Sequence, residues 1–281
     1  MVSSRDPDFV GLTRSEALGG IDLLEARFVN RSTHLHFHLE VEVGVVLFGR
    51  RLVHWRSRRY EAGPGSIVVF SPGETHAGAT LDRQDSAYCA FLIPETIWRQ
   101  VIEWREELHG CTRLTFDTPV FSEPELADAL VEAHDRLPTA ADPDEVGRQV
   151  VSSLKELCRR HGRGTGGGPV GESRREHDAV VQARCFIEEH YREKIRLEKL
   201  ATMTGLSVCH LIRVFRLATG LPPYAYLEQV RVQKASELLR AGRPVSQVAF
   251  ETGFADQSHL TRLFRRLIGL PPGRFQRSAR S

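Results

Sequence analysis

The side chains best suited to chemistry, at the most suggestive spacing, lie in the run LHFHLEVEVGVVLF, residues 35 to 48. His36, His38 and Glu42 share parity, so on an extended chain all three project from one face. Two imidazoles and a carboxylate converging in this way suit iron, zinc, manganese or nickel. The run has a second reading. Leu35, Phe37, Leu39, Val41, Val43, Val45 and Leu47 form an unbroken apolar set on the other face. That is the pattern of a half-buried strand whose polar face, with His34 and Glu40, simply meets solvent.

A second constellation is built from repeated arginines near the other end. LATMTGLSVCHLIRVFRLATGLPP (Leu200 to Pro223) and VAFETGFADQSHLTRLFRRLIGLPP (Val248 to Pro272) repeat each other at a spacing of 48 to 49 residues. Ala, Thr-Gly, His-Leu, Arg, Phe-Arg and Gly-Leu-Pro-Pro recur in order. Each copy reads as helix, tight turn, helix. Gly205 and Gly253 sit where a positive φ ends the first helix, and Ser207 or Asp256 offers an oxygen to cap the second. In the second copy Leu260, Leu263, Phe264 and Leu267 are expected to face the core, leaving Ser258, Thr261, Arg262 and Arg265 outward. In the first, Leu211, Val214, Phe215 and Ala218 are the expected core stripe, and Cys209, Ile212, Arg213 and Arg216 point away. Arginine suits DNA because its planar fork bonds guanine O6 and N7 together, and Gln257 can do the same for adenine. Arg213 and Arg262 are therefore expected at bases, and Arg216 and Arg265, a turn further on, at phosphate. The alternative for any one of these arginines is a solvated helix face. Their repetition favours the DNA reading. His210 and His259 are read as packing or capping residues.

The elements that must position these groups follow from pattern. The first hundred residues read as strands, with SIVVF and SAYCAFLI set off by the turn signals AGPGS and SPGE. From Pro94 the spacing turns helical, in IWRQVIEWREEL, PELADALVEAHDRL and DEVGRQVVSSLKELCRRH, packed on the β unit or on a second copy of the chain. Tyr224 to Arg240, with Tyr226, Leu227, Val230, Ala235, Leu238 and Leu239, is expected to form one amphipathic helix that holds the two repeats apart. A separation near one turn of duplex, about 34 Å, would let both enter successive major grooves. The domains are drawn at 1–161, a flexible glycine-rich linker at 162–173, and 174–281. The fold class is thus α+β in two domains, a β unit with packed helices and an all-α tandem helix-turn-helix domain.

Charge separates these parts. Residues 1–173 hold 19 Lys and Arg against 26 Asp and Glu, net −7, whereas residues 174–281 hold 19 against 10, net +9. A basic domain tethered to an acidic one points to a polyanionic partner for the basic part. Five scattered cysteines without a CxxC pair read as reduced thiols. No apolar run approaches a membrane span and MVSSRDPDF is not a signal peptide, so a cytoplasmic location and no membrane partner are expected.

Residues 180 to 277, with the ending GFADQSHLTRLFRRLIGLPPGRF, resemble the AraC/XylS class of bacterial regulators. The resemblance implies base contacts from Cys209, Ile212 and Arg213 in the first unit and from Gln257, Ser258, Thr261 and Arg262 in the second. It also implies double-stranded promoter DNA and RNA polymerase as partners, and activation as the output. The N-terminal segment resembles the cupin-like sensor barrel often joined to such domains, through His36-x-His38, Glu42 and Gly49, then Gly65 and Pro72-Gly73-Glu74-Thr75-His76. In metal-binding cupins the positions of His36, His38, Glu42 and His76 hold a divalent ion. The expectation here is a small organic effector at these residues, without a cofactor, with Trp55, Phe70, Tyr88 and Trp98 as pocket aromatics or ordinary core. The effector would shift the arrangement of the two domains or stabilise a homodimer. An effector-controlled regulator is thus expected, not an enzyme. The rival is a metal-dependent cupin enzyme, an isomerase or dioxygenase, with a helical interaction domain.

Overall fold

The computed structural model describes residues 9–29, 32–56, 58–81, 85–103, 114–164 and 173–278. The chain divides into two units with the boundary at residue 166. In the first, β1 (Phe9–Ser15), β2 (Ile21–Phe28), β3 (Val41–Phe48), β4 (Arg51–Trp55), β5 (Arg58–Ala62), β6 (Ser66–Phe70), β7 (His76–Thr80) and β8 (Ser86–Ile93) precede helix α1 (Glu95–Glu103). Then follow β9 (Leu114–Thr115), β10 (Val120–Ser122), α2 (Pro124–Arg136), α3 (Pro143–His161) and β11 (Arg163–Gly164). The antiparallel strands form a six-stranded sheet, β1-β2-β8-β3-β6-β10, and a three-stranded one, β5-β4-β7.

Strand β3 shows why this unit holds together. Val41, Val43 and Val45 bury one face of the large sheet with Ile67, Val69, Cys89 and Phe91, against Leu130, Val150, Leu154 and Leu157 of α2 and α3. The opposite face turns into the barrel, where Val46 and Phe70 meet Val53, Trp55 and Ala62 from the small sheet. Both faces are covered, so the polar face of β3 does not meet solvent. The long run from Leu35 to Leu47 is also not one strand. Residues 36–38 pair with the other side of the barrel: His36 and His76 exchange backbone hydrogen bonds of 2.9 and 2.8 Å, and Gly73 N–H donates to His38 O at 2.8 Å. The chain then enters the large sheet at Val41. Phe37 is buried, whereas Leu35 and Leu47 are exposed. After Phe48 the chain changes sheets again within two residues. Gly49 makes this turn at φ 74°, where a Cβ would lie 2.1 Å from Asp85 O.

Of the helical run IWRQVIEWREEL, residues 104–108 lie outside the described residues. Of the segment read as linker, Gly162 donates to Cys158 O and Arg163–Gly164 pair with Thr115 and Leu114, so its start is ordered structure. Residues 165–172 lie outside the described residues.

The second unit is all helical: α4 (Ser173–Glu189), α5 (Leu197–Thr204), α6 (Val208–Thr219), α7 (Pro223–Arg240), α8 (Val245–Glu251), α9 (Gln257–Ile268) and α10 (Pro272–Ser278). Helix α7 packs against α4, α6, α8 and α9. It is therefore buried on several sides and is not the simple amphipathic helix expected from its apolar positions. Gln229, Arg231, Gln233 and Ser236 are all buried with Tyr226, Leu227, Val230, Val232, Ala235 and Leu239, while Leu238 is only half-buried. The charge of Arg231 is accommodated by backbone: Nε donates to Tyr191 O at 2.7 Å and Nη2 to Glu193 O at 2.9 Å.

Candidate nucleic-acid interface and barrel site

Each repeat begins with a short helix closed by a left-handed residue. Gly205 ends α5 at φ 67°, and Gly253 follows α8 at φ 79°. At Gly253 the backbone of Arg192 also comes close, since a Cβ would lie 2.6 Å from its carbonyl oxygen. The next helices start on side-chain caps. Ser207 accepts from His210 N at 3.3 Å and Asp256 from His259 N at 2.7 Å, each satisfying an otherwise orphaned amide.

With the helix starts fixed, burial of one stripe decides what points out. On α9, Leu260, Leu263 and Phe264 are buried. Gln257, Ser258, Arg262 and Arg265 are exposed, and Thr261 is half-buried. Leu267 is also half-buried, on the fringe of the core and not in it. On α6, Leu211, Val214 and Phe215 are buried, but the stripe steps by four to Thr219, leaving Ala218 exposed. Thr219 suits this place because its hydroxyl donates to Phe215 O at 2.8 Å. Cys209, Arg213 and Arg216 are exposed and Ile212 is half-buried. The nine residues expected to read DNA thus lie on the uncovered or half-covered sides of α6 and α9. The two histidines make internal contacts: His210 Nε2 is 2.7 Å from Glu176, and His259 packs edge-on against Phe254.

In the barrel, His36, His38, Glu42 and His76 come together, with one donor atom of each within 4.8 Å of the others. Glu42 and His76 are 6% and 4% exposed, so this charge is out of water. Glu42 Oε2 lies 3.1 Å from His38 Nε2 and 3.2 Å from His76 Nε2. Burial alone would raise the Glu42 carboxyl, but the two imidazoles outweigh it and hold it well below the usual carboxylate range. Burial first, then His76 and His38, pushes the pKa of His36 well below its ordinary value. His36 Nδ1 lies 2.7 Å from His34 O and His76 Nδ1 2.9 Å from Glu74 O. A carbonyl only accepts, so both Nδ1 atoms carry a hydrogen, and Nε2 is the ring atom left to face the cluster.

His76 Nε2 and Glu42 Oε2 stand apart from the other polar atoms of the site. Both atoms are out of solvent contact and neither has a properly aligned hydrogen-bond partner. At 3.2 Å the pair is favourable with a proton or a metal cation between the two atoms and costly without one. Three imidazoles and a carboxylate, with backbone carbonyls orienting two of the rings, fit a divalent transition metal. Beside them is a cavity of ≈ 40 Å³, lined also by Thr33, Arg51, Phe70 and Tyr88.

Phe70 and Tyr88 of the four aromatics face this cavity, and the Phe70 ring stacks on His76 at 3.6 Å. Trp98 belongs to the core beneath the helices, and Trp55 stands in the barrel wall with Nε1 donating to Glu74 at 3.2 Å. Arg51 was not legible in advance, because GRR after a strand reads as a basic surface turn. It is buried, donates to Ser86 Oγ at 3.0 Å and lies over the Tyr88 ring at 4.5 Å.

A β unit with an internal polar site and a basic unit with two presented helices define an effector-responsive DNA-binding regulator. Residues 18–156 match the model of the AraC-like ligand binding domain, and residues 200–278 that of a helix-turn-helix domain. The chain is 37% identical over 258 residues, 89% of each chain, to the HTH-type transcriptional activator RhaS of Klebsiella pneumoniae. It is 32% identical over 228 residues, 80% of each, to the HTH-type transcriptional regulator YbfI of Bacillus subtilis. The chain belongs to the AraC family of transcription regulators, a family of DNA-binding proteins and not of enzymes. The fold is shared with ToxT of Vibrio cholerae at TM-score 0.60 and 11% identity, over 92% of this chain and 98% of that one. A ToxT structure with a bound unsaturated fatty acid matches at TM-score 0.57 and 10% identity, over 98% and 97%. Among the described residues no single helix is long and apolar enough to cross a membrane.

The caps give the first prediction. Asp256→Ala should destabilise the second unit by about 0.5–2 kcal/mol through loss of the α9 N-cap. Denaturant unfolding checks this. A loss under about 0.3 kcal/mol would mean that packing alone starts the helix.

Proposed function

We propose that this chain activates transcription from promoter DNA by placing α6 and α9 in successive major grooves, under control of a small ligand sensed in the barrel. The observation that carries the first part is the same outward face presented twice in a domain of net +9. Arg213 and Arg262 contact bases, Gln257, Ser258, Thr261, Cys209 and Ile212 complete the reading faces, and Arg216 and Arg265 hold phosphates. RNA polymerase is the partner through which activation acts, in the cytoplasm. The domains act as 1–161 for sensing and homodimerisation, 162–173 as connector and 174–281 for DNA. The effector shifts the population between arrangements with different DNA affinity.

The sensing site is His36, His38, Glu42 and His76. The cavity beside them is lined by Val45, Val53 and Phe70 as well as by Arg51 and Tyr88, so the ligand meets apolar walls and a few polar groups. The orphaned Glu42 and His76 atoms favour one further reading, that these four residues hold a divalent transition metal. The ion would supply a Lewis-acidic anchor for an oxygen of the effector. The chain's own part is to orient the rings through His34 O and Glu74 O and to keep His36 neutral by burial.

Two measurements test these assignments. Arg262→Ala should cost about 1–3 kcal/mol and relax preference at one base step in binding to single-substitution duplexes. Equal weakening on every duplex would make Arg262 a phosphate contact. Calorimetric titration of metal-free protein with Zn²⁺, Mn²⁺ and Ni²⁺ should give one site for at least one ion, with a raised unfolding temperature, and His76→Ala should abolish it. Absence of a stoichiometric site would remove the metal and leave the four residues as a purely organic ligand site.

A further inference from the structure

Among the described residues, the arginine read as a base contact in the first unit meets a carboxylate and the one in the second unit does not. Glu176 lies in the first turn of α4, on a helix that packs along α6. Its Oε1 accepts from His210 Nε2 at 2.7 Å and from Arg213 Nη2 at 3.4 Å, and since both are donors that stand 3.0 Å apart, the carboxylate is the group that holds them together. Glu176, His210 and Arg213 therefore form one triangle across two helices. His210 is anchored in it from below, because its own amide donates to the Ser207 cap. Arg213 remains 61% exposed by side chain. In the second unit the corresponding acid is Glu228 of α7, which lies 3.9 Å from His259 and 3.4 Å from Arg266. It reaches the arginine one turn past Arg262, not Arg262 itself.

We propose that Glu176 is a positioning residue that orients Arg213 for base recognition, so that the first unit's specificity is set in part from outside its helix-turn-helix. The inference rests on the reading of Arg213 as a base contact. Arginine has five N–H donors in a plane. Contact with Glu176 occupies one hydrogen on Nη2 and leaves the other, with both on Nη1, for an end-on approach to guanine O6 and N7. A free arginine must lose its rotamer freedom on binding, whereas one already held loses less. This offsets a weakness of the first unit, whose other reading positions, Cys209 and Ile212, carry few hydrogen-bonding atoms. In the second unit, Gln257, Ser258 and Thr261 supply polar contacts beside an unheld Arg262.

The test uses the full-length chain and its selected binding site, with each base substituted in turn. Arg213→Ala locates the base step that Arg213 reads. Glu176→Ala should reduce guanine preference at that step by about threefold to tenfold, the range for releasing one rotamer-rich side chain. It should leave preference at the Arg262 step unchanged. In the Arg213→Ala background, Glu176→Ala should have no further effect on preference, and Glu176→Gln, which keeps an acceptor for Arg213, should fall between wild type and alanine. Thermal unfolding of each variant separates these effects from loss of folded protein. Uniformly tighter binding with unchanged preference would make Glu176 only a repulsive charge near phosphate and overturn the proposal. If Arg213→Ala alters preference and Glu176→Ala does not, the proposal fails and the reading of Arg213 stands. If Arg213→Ala alters none, both fall.

Discussion

Burial of one apolar stripe on each of α6 and α9 is the constraint on which the DNA-binding unit depends. Once Leu211, Val214 and Phe215, and Leu260, Leu263 and Phe264, are committed to the core, the helix period leaves no choice about which residues face outward. The caps at Ser207 and Asp256 set where that period starts, and α7 supplies a common surface for both stripes. The buried polar residues of α7 follow from the same constraint. Tyr224 and Glu237 keep α7 in touch with solvent, but its packed faces offer polar groups no water, so Arg231 takes backbone carbonyls as partners.

The barrel depends on the opposite demand, a charge kept where water is excluded. Glu42 stands on β3, whose other face is committed to the helix-packed core, so its side chain can only point inward. Three histidines brought from the segment before β3 and the start of β7 surround it. A buried charge is costly unless it is compensated, and this is the property on which the proposed sensing role rests.

Much of this was legible from pattern. The strands SIVVF and SAYCAFLI, the helices after Pro94, the tandem repeat, its glycine turns and its caps all follow from local periodicity and turn chemistry. The misses share a cause, which is that each is decided by a neighbour distant in sequence. Alternation continues unbroken from Leu35 to Leu47, yet the chain changes sheets at residues 39–40, and nothing local marks the exchange. His76 joins the cluster only through the resemblance, Arg51 reads as surface, and Ala218 yields its core place to Thr219, whose hydroxyl bonds Phe215 O. Glu176 is 34 residues from His210, and only the packing of α4 on α6 brings them together.

In the proposed mode of binding, one chain reads two unequal half-sites. Selection of binding sites from random duplexes by the full-length protein, at defined salt, tests it most directly. The expected result is a non-palindromic site of two blocks about one helical turn apart, with at least half of the base information in the block read by α9. A single block, a palindrome of equal halves, or no enriched sequence would contradict it.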